Sequence, residues 1–281
     1  MTTSPSAAAG RGQITRMAAI QMVSGPSVPA NLEQAGELLA RSAAQGVRLA
    51  ALPEFFPIMG LHETDKIKVR ERPGSGPIQD FLAERARTLG VWIVGGSVPL
   101  EGSAPDKVLN TCLVYDDRGR LAGRYDKIHL FGYDNGRERY VEANTIEPGK
   151  DVVTLDTPFG RLGLSVCYDL RFPELYRRMG PVDAIFVPSA FTTTTGKAHW
   201  ETLLRARAVE NQTYVLAPAQ GGRHASGRET HGDTMIVDPW GEVLGRLPTG
   251  PGVVTADIDR GRIAAVRASL PALEHRTLGP I

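Results

Sequence analysis

From Ile14 onward, short apolar runs alternate with segments whose apolar residues recur every three or four positions. That is the pattern of strands interleaved with helices. Residues 17–23 read as a first strand. Leu32, Ala35, Leu38 and Leu39 then share a helical face, with Asn31 as the expected N-cap and an end near Gly46. Residues 48–52 follow as a strand, 81–88 as a helix stopped by Gly90, and 91–98 as a buried strand. Alternation continues through 152–155, 162–166, Pro173–Met179, 184–187, 199–211 and Tyr214–Ala217. Three turns, at Asp117-Arg118-Gly119, Asp156-Thr157-Pro158-Phe159-Gly160 and Asp238-Pro239-Trp240-Gly241, sit between apolar runs and read as hairpins, Gly supplying the positive φ. Hairpins among strand–helix units predict mixed sheets, and two such sheets stacked face to face with helices outside would bury the apolar strands on both faces. The predicted fold is an α/β protein, an α-β-β-α sandwich.

No Gly/Ser linker or shift of composition divides the chain, so one domain is expected over residues 14–270. It lies between an N-terminal tail, 1–13, and a C-terminal tail, 271–281. The first sixteen residues lack the apolar core of a secretory signal, and no run is long and apolar enough for a membrane helix. Across 281 residues, 32 Lys and Arg face 31 Asp and Glu, a net charge of +1. That balance argues against nucleic-acid or polybasic membrane binding. Two cysteines cannot make a disulfide framework. A soluble, cytoplasmic protein is expected.

Cys167 changes the picture. It ends the apolar run Gly160-Arg161-Leu162-Gly163-Leu164-Ser165-Val166 and precedes a helix with Pro173 in its first turn. A thiol presented at a strand-to-helix turn, near helix N–H groups and any cation, is placed to ionise and act as a nucleophile. Cys112, mid-strand in Asn110-Thr111-Cys112-Leu113-Val114, reads as a small core residue. Glu54 closes the buried-looking run Ala50-Ala51-Leu52-Pro53, where a carboxyl tends to hold its proton and suits a general base that later serves as acid. Lys127, after a hairpin strand, offers an ammonium for a developing oxyanion. Taken singly, each has an ordinary structural reading: core thiol, loop acid, surface cation. The same holds for Glu142, for Arg171, and for residues 192–195, which read as a polar loop opening the helix of His199 and Trp200.

Other chemistries find no motif. H-E-x-x-H, C-x-x-C, a P-loop and G-x-G-x-x-G after a strand are absent, and Cys167 stands where G-x-S-x-G needs its second glycine. Neither metal nor cofactor is indicated.

Taken together, Leu52-Pro53-Glu54, Tyr125-Asp126-Lys127-Ile128-His129-Leu130-Phe131 and Val166-Cys167-Tyr168-Asp169-Leu170-Arg171-Phe172-Pro173-Glu174 closely resemble three signature blocks of the nitrilase superfamily of carbon–nitrogen hydrolases, in the same order. The likeness spans about residues 17–270. Ser189-Ala190-Phe191-Thr192, Thr195-Gly196-Lys197-Ala198-His199-Trp200-Glu201 and Gly222-Arg223-His224 look most like the branch of ω-amidases and deaminated-glutathione amidases. Two features depart from that branch: the segment 131–138, and Asp233 where a His is common.

The resemblance implies Cys167 as nucleophile, Glu54 as general base and acid, Lys127 as the oxyanion cation together with the Tyr168 N–H, and Glu142 as a second glutamate orienting substrate or lysine. It implies no cofactor, and a homodimer or higher homo-oligomer. The expected reaction is hydrolysis of a small carboxylate or 2-oxo acid amide, such as 2-oxoglutaramate or deaminated glutathione, to the acid and ammonia through a thioester. Arg171, with Thr192 or Thr195, is expected to bind the substrate's carboxylate. The competing readings are an N-carbamoyl amine or amino-acid amidohydrolase, a nitrilase, and a catalytically idle scaffold on the same fold.

Overall fold

Alternation along Ile14–Gln21 already sets the layering. In this computed structural model, which describes residues 14–278, Met17 and Ala19 point one way into a cluster shared with Leu162, Leu164, Ala184 and Phe186, while Ala18 and Ile20 point the other way onto Leu38, Leu39 and Leu82. A side-chain period of two thus gives this strand one face against a second sheet and one against helices.

The first sheet runs in the order Gly252–Asp259, Ile14–Gln21, Leu49–Ala51, Trp92–Val94, Val108–Tyr115 and Val98–Glu101, with Leu121–Asp126 and Ile146–Glu147 also paired to Val108–Tyr115. The second runs Thr154–Thr157, Gly160–Leu164, Ala184–Phe186, Tyr214–Ala217, Thr234–Val237 and Val243–Leu247. Both mix parallel and antiparallel pairs. Helices Val28–Ala44 and Pro77–Leu89 cover the first sheet, and Thr193–Asn211 packs Trp200, Leu204 and Ala208 into the cluster of the second. This is the expected α-β-β-α sandwich.

All three hairpin turns connect antiparallel neighbours, and Gly90 ends its helix in the left-handed conformation. Other boundaries move for local reasons. The first helix begins at Val28 with Ser27 at the cap position, because Pro29 favours the first turn. Asn31, expected as the cap, lies inside the helix and uses its amide on Gly25 and on the Pro57 carbonyl. The strand expected over 91–98 breaks into Trp92–Val94 and Val98–Glu101. Gly96 makes the break at φ +56, where an added Cβ would sit 2.1 Å from the Pro53 carbonyl oxygen. The expected tail 1–13 lies outside the described residues. Among the described residues no helix is long and apolar enough to cross a membrane.

Candidate active site

Each of the three blocks lies at the end of a strand, buried for Glu54 and Cys167 and half-buried for Lys127. Glu54 follows Leu49–Ala51, Lys127 follows Leu121–Asp126, and Cys167 follows Gly160–Leu164. The backbone is strained at two of these points, with φ +54 at Phe55, next to Glu54, and φ +51 at Cys167 itself. Positive φ in a non-glycine residue is held only by surrounding structure and clusters at functional sites. At Cys167 that structure includes the bond from its own N–H to the Pro188 carbonyl, 2.9 Å.

The side chains converge. Lys127 Nζ donates to Glu54 Oε1 at 2.9 Å and to both oxygens of Glu142, at 3.0 and 2.8 Å. The Cys167 thiol is hydrogen-bonded to the Glu54 carboxyl. Asn110 Nδ2 donates to the same Glu54 oxygen at 2.9 Å, and the Phe131 N–H donates to Glu142 at 2.7 Å. Lys127 is fully buried, Glu54 nearly so, and Cys167 is 7% exposed.

Burial decides the protonation states. It raises the Glu54 carboxyl above its ordinary 4.5, and Glu142 adds to the rise, although Lys127 and the thiol pull the other way. Burial alone would strip the proton from Lys127, yet the carboxylates of Glu142 and Glu54 hold it on, so this ammonium is firmly charged. The expectation that a cation would favour the resting thiolate is corrected here. Burial pushes the Cys167 thiol well above 9.0, and Glu54 and Glu142 add two nearby negative charges against one positive. The resting sulfur keeps its proton, and it is the hydrogen-bonded Glu54 that is placed to take it.

Tyr168 and Arg171 lie in the 3-10 turn Cys167–Arg171. As the second residue of that turn, Tyr168 has an N–H with no acceptor inside it. A slot lined by Phe131, Cys167, Tyr168, Arg171, Phe191, Thr192 and Thr195 reaches the sulfur. The Arg171 guanidinium rests 5.7 and 5.3 Å from the ring centres of Tyr168 and Phe191 and 3.1 Å from His199 Nδ1. Thr192 and Thr195 border the slot, but their hydroxyls face each other at 2.9 Å, and Thr192 caps the helix Thr193–Asn211 by accepting from the Thr195 N–H at 3.2 Å.

Sequence reasoning passed over Asp169. Its buried carboxylate accepts from Tyr125 Oη at 2.7 Å, the Val166 N–H at 2.8 Å and the His129 N–H at 3.0 Å, and lies 2.8 Å from His129 Nδ1. It ties the strand before Lys127 to the turn that carries Cys167. Asn110 lies two residues before Cys112 in one strand, and that spacing, which puts a polar amide on the same buried face as Cys112, was the available signal. Asp233, the other departure, forms a two-pronged ion pair with Arg246, at 2.8 and 2.6 Å, on a cleft that does not include Cys167.

A buried thiol and ammonium bonded to one buried carboxyl at the strand ends of an α-β-β-α sandwich define the thiol hydrolases of non-peptide C–N bonds. The comparisons agree. The model of the carbon-nitrogen hydrolase family matches residues 16–268, and the chain belongs to that family. It is 40% identical over 264 residues, 92% of both chains, to the deaminated glutathione amidase of Yersinia enterocolitica. The crystal structure of the C. elegans NitFhit protein superposes with a TM-score of 0.86 at 35% identity, over 95% of this chain and 66% of that longer one. A variant of the amidase from Nesterenkonia sp. AN1, bearing the acetamide moiety of fluoroacetamide on its active site cysteine, superposes at 0.80 with 26% identity over 97% of each chain. This protein is a carbon–nitrogen hydrolase, an amidase of the nitrilase superfamily.

Proposed function

We propose that Cys167, Glu54 and Lys127 carry out amide hydrolysis through a thioester. An amide resists attack because its carbonyl is resonance-stabilised and its nitrogen leaves poorly. Glu54 takes the Cys167 proton as the sulfur attacks the carbonyl carbon. The resulting oxyanion is met by Lys127 Nζ and the Tyr168 N–H, donors fixed before reaction begins. Glu54 then gives its proton to the departing nitrogen, leaving the acyl group on the sulfur. Water that loses its proton to Glu54 attacks the thioester; the acid is released and the proton returns to Cys167. Glu142 is a positioning residue, fixing Lys127 through two bonds. The observation that carries this reading is the unbroken buried contact chain Cys167, Glu54, Lys127, Glu142.

For substrate we propose 2-oxo acid amides of the 2-oxoglutaramate type, deaminated glutathione among them. The support is the Yersinia relative's activity and an Arg171 guanidinium that forms no ion pair within 4 Å among the described residues, free for a substrate carboxylate. Hydrolysis of 2-oxoglutaramate releases ammonia. Deaminated glutathione carries only secondary amides, so there the leaving group is an amine. Acid and amine release from both compounds is the test; inactivity on both with turnover of an N-carbamoyl amine would move the assignment to that class. We also infer a cytoplasmic homodimer, supported by two free cysteines and by Val209, about half exposed beside Gly241, and the equally exposed Trp240 that precedes that glycine. Light scattering of the purified chain measures the oligomer.

A further inference from the structure

Phe131, which borders the slot, and Glu142, which holds Lys127, also open onto a wider cleft of about 220 Å³ that the mechanism above leaves unused. Ammonia needs no such room, since a molecule of water occupies only about 30 Å³ of liquid. Two cations line the cleft. Lys66, on the short helix Asp65–Lys68, has a side chain 11% exposed; its Nζ donates to Glu63 Oε2 at 2.7 Å and to Thr145 Oγ1 at 3.3 Å, and lies 5.6 Å from the Phe55 ring centre. The Arg228 guanidinium stands 5.0 Å from the Tyr140 ring centre and donates once, to the Ala190 carbonyl at 3.2 Å. Its buried Nε has no hydrogen-bond partner, and it forms no ion pair within 4 Å among the described residues.

The charges lining the cleft do not cancel. Glu142 is committed to Lys127. That leaves Glu63 as the one acid facing Lys66 and Arg228, with His62 beside them. Partial loss of water raises the Glu63 carboxyl, but Lys66 and Arg228 outweigh it and hold it below its ordinary value. The Glu63 side chain is 63% exposed, so it can give up Lys66 to water at little cost. What remains is a cationic wall with unpaired guanidinium N–H groups, on a cleft whose lining includes Glu142 but not Arg171.

We propose that Lys66 and Arg228 form a carboxylate subsite for the amine half of the substrate, so that the enzyme favours amides whose leaving amine bears a carboxylate, as a dipeptide does. This rests on the amidase reading above. The acyl half occupies the slot at Arg171, the scissile bond lies at Cys167, and the amine half extends past Glu142. The Arg228 guanidinium offers its unpaired terminal N–H groups to the carboxylate, and Lys66 adds a point charge.

The test is a pair of 2-oxoglutaryl amides of one dipeptide, with the C-terminus free or capped as an amide. The free acid is expected to have a kcat/KM about tenfold above the capped compound, as for a charge-assisted hydrogen bond. Arg228→Gln and Lys66→Met each bring that ratio toward one, Arg228→Glu inverts it, and Glu63→Gln raises it. A ratio of one in the unaltered enzyme, or one that survives Arg228→Gln and Lys66→Met, overturns the proposal. Should neither compound turn over, the substrate reading fails on its own. The subsite is then read from the alkylation rate of Cys167 by N-chloroacetyl-Gly-Gly and by its C-terminal amide, reagents that need no acyl recognition, with the same ratios supporting or overturning it.

Discussion

Tyr125 and Asp169 meet at 2.7 Å in the interior, a hydroxyl on the strand that delivers Lys127 bonded to a carboxylate on the turn that delivers Cys167. Neither touches substrate, yet together they set the distance between ammonium and sulfur. Tyr125→Phe removes one charge-assisted bond and leaves Asp169 its other partners, at a cost of about 1.5–3 kcal/mol. Asp169→Asn should cost more. Whichever way the amide turns, its NH2 faces a backbone N–H, of Val166 or of His129, that now bonds to a carboxylate oxygen. Urea unfolding midpoints of the two variants give the order, and kcat should fall further in Asp169→Asn than in Tyr125→Phe.

Lys127 separates a catalytic role from a structural one. Replacing it with Met removes an oxyanion donor, expected to lower kcat by about 10²–10³. It also leaves Glu54 and Glu142 without their buried counter-ion, a loss of about 3–5 kcal/mol where both stay ionised. The double variant Lys127→Met/Glu142→Gln should recover part of that stability and none of the activity. Recovery of turnover would show that the ammonium serves only to neutralise its neighbours.

The pH profile follows from the same charges. Glu54 must be ionised to accept the Cys167 proton, and burial lifts its carboxyl above 4.5. The acid limb of kcat/KM therefore lies above 4.5, and activity falls as pH drops through it. Cys167 is held well above 9.0 and Lys127 above 10.5, so no alkaline limb is expected below pH 9. Glu142→Gln removes one of the causes of the rise at Glu54, so in that variant the limb shifts to lower pH. In stability the sign runs the other way. A carboxyl with a raised folded value contributes stability that is complete below its unfolded value and lost as pH climbs through the folded one.

The layers and the three catalytic strand ends were legible because period-two burial and short sequence blocks are local signals. Asp169 was not, since Tyr125 and His129, which hold it, lie 44 and 40 residues earlier in the chain and no spacing marks the pairing. The helix expected from His199 begins six residues earlier, at Thr193, because the Thr192–Thr195 hydroxyl pair caps residues with poor helix propensity. Thiol ionisation was misjudged for a similar reason. The resemblance places Glu54 and Glu142 beside the cation, but only their distances and burial show that two carboxylates outweigh one ammonium at Cys167.

Gly96 lets the chain pass directly behind Glu54. At φ +56 its missing Cβ would lie 2.1 Å from the Pro53 carbonyl oxygen and 2.9 Å from that of Leu52, both backbone atoms that cannot swing aside. Gly96→Ala therefore combines a conformational cost of about 1–3 kcal/mol with displacement of the segment that holds Glu54. Thermal unfolding should show the first and a reduced kcat the second. An active, equally stable Gly96→Ala protein would mean that this backbone approach does not set the position of Glu54.

The two cysteines offer an internal comparison. Cys112 is wholly buried between the sheets and its thiol is pushed up to about 12 by burial alone. Cys167 is also raised, but it borders a slot and is bonded to a base. Iodoacetamide at neutral pH should therefore alkylate Cys167 once per chain while Cys112 stays unmodified until the protein unfolds. Glu54→Gln should slow that alkylation strongly, because no group remains to take the proton, whereas Arg171→Gln should not. Peptide mass mapping distinguishes the sites. Equal, slow labelling of both thiols would mean that contact with Glu54 does not activate Cys167, and the proposed route to the thioester would lose its first step.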